Sequence, residues 1–376
     1  MIPALCLHCA GRPTIASRRA PPPARDGAAE VDARDAAEVG AAVDVATGDA
    51  GETAAAPAPV RVIDFAVDDE DLCVILEDRS VRCVPHEFLG NPEAEATVTT
   101  VADLPPAHHI DANGRRVCIR DGDGAVWCWG SIDWCDDDIQ IEAPQRVPML
   151  PVGAEVALPL RRHSDGGNRI QARTPTGVVI NLDCAGENRS PTAFGGAVRQ
   201  LAAGSITTCA LVQDATVRCT DEERPLERVA GLVRPEEVRI GDQHACARQA
   251  DGAVRCWPVC HRRGGTTYNC VWNRARGSVI RTWPVPGLES VGAVATGDEI
   301  SCALKQDRSV WCWTMSGGTV DPRRGLTFGA PFPVPGLSEV ERIDLEGVTL
   351  CALRRDRTLW CVQQPQPDRP PQRMVW

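Results

Sequence analysis

Apolar and polar positions along this chain alternate in short arms around polar centres, without helical spacing. The clearest copy is SCALKQDRSVWCW, Ser301 to Trp313, where two apolar arms flank Asp307 and Arg308. The centres of the copies read EDR, DGDG, QDA, ADG, QDR and RDR, so each carries an Asp. Asp tolerates turn backbone and bonds the backbone two residues on, and Gly122, Gly124 and Gly252 are expected to supply positive φ. Apolar arms around such a centre predict a β-hairpin.

Each arm carries one cysteine. Cys73 pairs by spacing with Cys83, Cys118 with Cys128, Cys209 with Cys219, Cys246 with Cys256, Cys302 with Cys312 and Cys351 with Cys361, always at an interval of ten. An even interval centres on a residue, which predicts an odd-length loop and opposed cysteines. Opposed strand residues lie about 4.5–5.5 Å apart at Cα, within reach of a disulfide. A seventh copy, QARTPTGVVIN, keeps the register without cysteines. Gly177 falls on the place of Gly252 and Val179 on that of Val254, and Gln171 and Asn181 stand where the cysteines would be. The hairpin is therefore expected to be the primary unit and the cystine an addition to it.

Five residues before the first cysteine, Gly204, Gly241 and Gly297 recur, with Gly166 in the cysteine-free copy. Three residues further back stands an apolar anchor: Phe65, Ile110, Leu201, Val238, Val294 or Ile343. This predicts an inner strand ending in a tight turn. A second phrase returns between copies, as in Val285-Pro-Gly-Leu288 and Val334-Pro-Gly-Leu337. Each unit thus holds about four short strands, and the copies repeat at spacings of 45, 53, 38, 37, 56 and 49. Self-similarity at this period without helical periodicity predicts an all-β, seven-bladed β-propeller over residues 60–376. The tail Gln372 to Trp376 is expected to form a last short strand that pairs within the final blade and helps close the ring.

The phrase GxxHxCAxxxDGxVxCW, best matched by Gly241 to Trp257 and followed by VPGL, resembles the repeat of the regulator-of-chromosome-condensation family. The cysteine-bearing form resembles secreted bacterial members more than the eukaryotic nuclear exchange factor. The resemblance runs over about Arg61 to Trp376. It implies a seven-bladed propeller and a choice of functions: protein binding, including β-lactamase inhibition in a bacterial member, or guanine-nucleotide exchange on a small GTPase. The family's GxNxxGQLG loop is missing, with Trp129-Gly130-Ser131 its only trace, so no functional loop carries over. His244 matches the family's recurrent histidine and is expected to stabilise a turn.

Net charge of −11 argues against electrostatic binding to nucleic acid or an anionic membrane. No run of 18 apolar residues exists, so no transmembrane helix is expected. Eighteen cysteines, twelve of them in repeated opposed pairs, imply an oxidising compartment, extracellular or in the cell envelope. Small buried thiols in a reduced cytosol are the competing reading, but that leaves the joint presence or absence of each pair unexplained. Residues 1–59 are rich in Ala, Pro, Asp and Glu and are expected to form a disordered segment, serving as a tether or a plain tail. Cys6 and Cys9 invite a lipid tether, although neither Ala4-Leu5 nor Leu7-His8 fits a small-residue processing site. The start is expected to be truncated or misassigned, an intact Met1 in cellular protein being the counter-evidence.

The fifth unit carries the longest insertion, Pro258 to Trp283. Cys260 and Cys270 again differ by ten and bracket Gly264-Gly265, which predicts a disulfide-closed hairpin. Cys260, His261 and Cys270 also resemble zinc ligands but do not make a set of four. Arg262, Arg263, Tyr268 and Trp272 have the composition of a binding hot spot and are the candidate partner contact. Trp127, Trp129, Trp257, Trp311, Trp313 and Trp360 flank the second cysteines and are expected to pack between blades. Trp134, Trp272 and Trp283 lie in insertions and are expected to be freer. Asp136 to Asp138 form an acidic loop without the spaced carboxylates of a calcium site. The chain has no HExxH, GxSxG, P-loop or dinucleotide fingerprint. These observations favour a monomeric, non-enzymatic protein-binding scaffold without cofactor or metal. The alternatives are nucleotide exchange and an extracellular enzyme with an unrecognised channel site.

Overall fold

The computed structural model describes residues 60–376 except 69, 86–88, 90–97, 114–115, 133–138, 159–169, 183–187, 190–191, 205–206, 222–225, 260, 264–265, 269–278 and 316–326. Within these bounds the chain forms seven four-stranded antiparallel sheets in sequence order, a seven-bladed β-propeller. Blade 1 comprises Val62–Val67, Asp71–Leu76, Val81–Pro85 and Thr99–Thr100. Blade 2 runs from Ala107–Asn113 to Ile139–Arg146, blade 3 from Glu155–Ala157 to Asn188–Arg189, and blade 4 from Val198–Ala203 to Glu227–Arg228. Blade 5 begins at Pro235–Ile240 and ends at Trp283–Pro284, blade 6 spans Val291–Thr296 to Phe332–Pro333, and blade 7 spans Val340–Glu346 to Gln372–Arg373.

The hairpins stand in the expected register. The six repeat cysteine pairs are directly opposed, and Gln171 faces Asn181 at the same place in blade 3. The tip is a three-residue loop whose last residue takes positive φ, which matches the right-handed twist of the strands. Gly124, Gly177 and Gly252 supply this conformation in three blades, and Arg79, Ala215, Arg308 and Arg357 adopt it in the other four. Gly122 was expected to supply positive φ and does not, because it occupies the first loop position.

The tip carbonyl at this residue also joins blades. It accepts an N–H at or just before the start of the next inner strand: Ala107 to Arg79 at 3.0 Å, Gly153 to Gly124 at 2.8 Å, Val198 to Gly177 at 2.8 Å, Val291 to Gly252 at 3.2 Å and Val340 to Arg308 at 3.2 Å. Val62 donates to Arg357 at 3.1 Å, so the same bond joins blades 7 and 1. Between blades 4 and 5 the donor position is Pro235, which has no N–H to give.

The core lies between blades. One cluster at the closure joins Val62, Phe65 and Leu72 of blade 1 to Leu353 and Leu359 of blade 7, with Met374 and Trp376 packed against it. Gln372 and Arg373 pair with Cys361 and Trp360, so the expected last strand is present within the final blade. Trp257 and Trp313 are fully buried, and Trp127, Trp311 and Trp360 pack against inter-blade clusters. Trp283, expected to be free in the insertion, is half-buried and opposes Cys256 as part of the fourth strand of blade 5. Gly241 and Gly297 are required by close approach: a Cβ on Gly241 would lie 1.9 Å from the Gly297 carbonyl oxygen, and one on Gly297 would lie 2.2 Å from that of Gly347.

Candidate binding surface

Six cystines are formed at the six expected pairs, with Cα separations of 4.0–4.1 Å. All twelve sulfurs belong to buried residues, so the cystines brace the blades and offer no surface chemistry. Cys260 and Cys270 lie outside the described residues. The hairpin predicted between them is present as backbone: His261–Arg263 pairs antiparallel with Thr266–Tyr268, and Arg262 opposes Thr267. This places Arg262, Arg263 and Tyr268 on one small two-stranded ribbon, separate from the four-stranded sheet of blade 5. Trp272, Trp134, Cys135 and Cys184 lie outside the described residues.

The first strands of blades 2 to 7 line a central cavity of about 150 Å³. An inner strand presents an unpaired backbone edge, whose N–H groups need acceptors. In three blades the residue just before the apolar anchor meets this need for the next blade, and at the closure the residue just after the anchor does so. Asp64 accepts the N–H of Ile110 at 3.2 Å, Gln200 that of Val238 at 2.9 Å and Glu237 that of Val294 at 3.1 Å. At the closure Asp344 accepts from Val67 at 3.3 Å. These residues were not singled out from the sequence. A polar residue directly before an apolar anchor was the available signal.

Asp64 is also the hub of a charged chain across the closure. It pairs with Arg342 of blade 7 and binds His109 Nδ1 at 2.8 Å, while His109 Nε2 lies 3.2 Å from Asp111. The hydrogen bond to Asp111 raises the His109 pKa, with burial opposing it. Burial pushes the Asp344 carboxyl up against the pull of Arg342 and Arg239. Burial would lower the Arg239 guanidinium, but Glu237, Asp344 and Asp111 outweigh it and hold that cation above its ordinary range. Arg239 nevertheless keeps 53% of its side chain exposed. Around the channel, then, Asp64, Glu237 and Asp344 are each occupied by backbone N–H groups or arginines.

His244 is fully buried and hydrogen-bonds Ser301 of blade 6. Burial lowers its pKa to about 4, with a backbone hydrogen bond at Asp298 opposing the shift. The expected turn role is therefore an inter-blade one. At the hairpin tips, hydroxyl bonds from Ser80, Thr216, Ser309 and Thr358 hold the carboxyls of Asp78, Asp214, Asp307 and Asp356 below their usual range. Among the described residues, no helix is long and apolar enough to cross a membrane and no group of three or more metal-binding side chains occurs.

The architecture defined by these observations is a seven-bladed β-propeller, six of whose blades carry a cystine. No protein-family model and no curated protein matches the chain. Among solved structures it is similar to human WBSCR16, at 15% identity and a TM-score of 0.54, over 76% of this chain and 88% of that one. A chain of the mitotic checkpoint complex matches at 16% identity and a TM-score of 0.52, over 86% of this chain and all of that one. Prp20p of Saccharomyces cerevisiae matches at 14% identity over 83% of this chain and 76% of that one; its TM-score of 0.40 carries no argument. At these identities the likeness establishes the fold and nothing finer.

Proposed function

We propose that this protein is an extracytoplasmic binding scaffold: a rigid ring that presents loops and hairpin tips to a protein partner. The observation that carries the reading is the set of six buried cystines at one register, which suit an oxidising compartment and stiffen six of the seven blades. The occupied channel carboxylates support it further, since they brace the ring. The repeat's resemblance to the regulator-of-chromosome-condensation family agrees with protein binding, and inhibitor-type binding is a special case. An N-terminal lipid tether would hold the scaffold at a membrane surface.

The test is stoichiometric complex formation by the oxidised chain, immobilised and exposed to an extracytoplasmic extract of its native source. The reading expects a defined protein complex that survives size-exclusion chromatography. Failure to form any complex, with turnover of a polysaccharide or peptide, would replace it with the enzyme reading. Release of GDP from a small GTPase would replace it with nucleotide exchange.

A further inference from the structure

Both ring nitrogens of His109 face carboxylate oxygens. Nδ1 lies 2.8 Å from Asp64 Oδ2, and Nε2 lies 3.2 Å from Asp111 Oδ2. A neutral imidazole carries one N–H and one lone pair, so both contacts are favourable only when the ring is doubly protonated. Other charged groups surround the ring. Arg120 opposes it on the second strand of blade 2 and disfavours its charge, and Glu155 of blade 3 favours it. Glu155 is itself paired with Arg173, and Arg342 of blade 7 pairs with Asp64. The hydrogen bond to Asp111 outweighs burial and Arg120, so the ring titrates on the alkaline side of an ordinary histidine.

The two arms are held unequally. Asp64 is 12% exposed and both of its oxygens are engaged. Its Oδ1 accepts the Phe65 N–H at 3.0 Å and pairs with Arg342, and its Oδ2 accepts the Ile110 N–H as well as facing His109. Asp111 is 38% exposed and lines the central cavity, which Arg239 lines from blade 5. Arg239 gives its Nε to Glu237 at 3.0 Å, and Asp111 is among the carboxylates whose charge reaches it. Asp344, another of these, accepts the N–H groups of Val67 and Leu345. Asp111 is therefore the carboxylate with freedom to move.

We propose that His109 is a proton switch on the channel wall. With the ring charged, Asp111 is held to blade 2; with the ring neutral, Asp111 turns to the Arg239 guanidinium and ties blade 2 to blade 5 across the channel. The proton that leaves is the one on Nε2, and it passes to water. Nδ1 keeps its proton because the Asp64 carboxylate is fixed on the other side. An Nε2 lone pair then faces Asp111 Oδ2, and that contact turns repulsive. The switch needs no partner, so it stands or falls apart from the scaffold reading.

Nitrogen-15 NMR of the full oxidised chain, labelled at histidine and arginine, tests it across pH. His109→Gln and Arg239→Lys assign the two sets of signals. Below the His109 midpoint both ring nitrogens are expected to carry protons, and above it Nδ1 alone. The Arg239 guanidinium signals are expected to shift with the same midpoint. Asp111→Asn lowers that midpoint toward the ordinary histidine value and abolishes the Arg239 shift. Glu155→Gln leaves the Arg239 shift in place. Unchanged melting certifies the fold of each variant. Should Asp111→Asn fail to fold, His109→Gln carries the test, because the Arg239 signals then lose their response over this range. A neutral ring protonated at Nε2, a flat Arg239 signal in the unaltered protein, or an Arg239 shift that persists in Asp111→Asn or His109→Gln overturns the inference.

Discussion

Blade 3 and the joint between blades 5 and 6 solve one packing problem with different chemistry. At the 5–6 joint a cystine, a buried His244–Ser301 bond and the fully buried Trp313 fill the space between sheets. In blade 3 the cystine position holds Gln171 and Asn181, which reach outward to Thr208 at 2.8 Å and Thr192 at 2.7 Å. The strand register is the same in both. Register is therefore set by the alternating apolar arms and the turn, and the cross-link acts on a hairpin already formed. A cystine closing so short a loop contributes about 2–3 kcal/mol in the chain-entropy model, against about 1 kcal/mol for each neutral hydrogen bond. Blade 3 gives up some stability.

The largest expected effect on this contrast is complete reduction. Dithiothreitol removes all six braces and should lower the melting temperature far more than any substitution, with blade 3 contributing none of the loss. Hydrogen exchange resolved by blade checks this, and equal deprotection of blade 3 and the cystine hairpins at the earliest stage would break the contrast.

Acid comes next. His244 is held neutral in the fold at a pKa of about 4, against 6.5 when unfolded. Its stabilising contribution is complete above pH 6.5 and is lost as pH falls from there toward 4, a change of about 3 kcal/mol. Because this histidine braces only the 5–6 joint, His244→Gln should flatten that limb of a urea-melt series across pH. His109 works in the opposite sense. Its pKa is raised, so its contribution is complete below 6.5 and fades as pH rises through the raised value.

Asp64→Ala should cost about 3 kcal/mol, since it removes one partner each from Arg342 and His109 and uncaps the Ile110 N–H. Deleting Arg373 to Trp376 should lower the melting temperature by removing the last strand and the Met374 and Trp376 contacts at the closure. An unchanged melt would show that the tail plays no part in closing the ring. The smallest effect is the most direct on blade 3. Gln171→Cys with Asn181→Cys should form a seventh cystine and add no more than about 1 kcal/mol, the loop-closure gain less the two lost hydrogen bonds. Failure of that bond to form in air would show that the two registers are not equivalent.

Seven units, their period, the opposed cysteines and the closing strand could all be read from the chain, because each is a local pattern repeated in register. The caps between blades could not. Asp64 and Ile110 stand on different blades, and the capping residue varies among Asp, Gln and Glu, so no motif repeats. Trp283 was misplaced for a related reason: a two-residue outer strand leaves no periodicity to detect inside a long insertion. The candidate contact residues Arg262, Arg263 and Tyr268 were read from composition, and the structure adds the ribbon on which they sit.

The central claim is that oxidation braces each hairpin separately, with blade 3 left to hydrogen bonds. Non-reducing peptide mapping of the protein from its native source tests it most directly. The account predicts links 73–83, 118–128, 209–219, 246–256, 302–312 and 351–361. Free thiols at these positions, or links running between blades, would contradict it and would reopen the case for a reducing compartment.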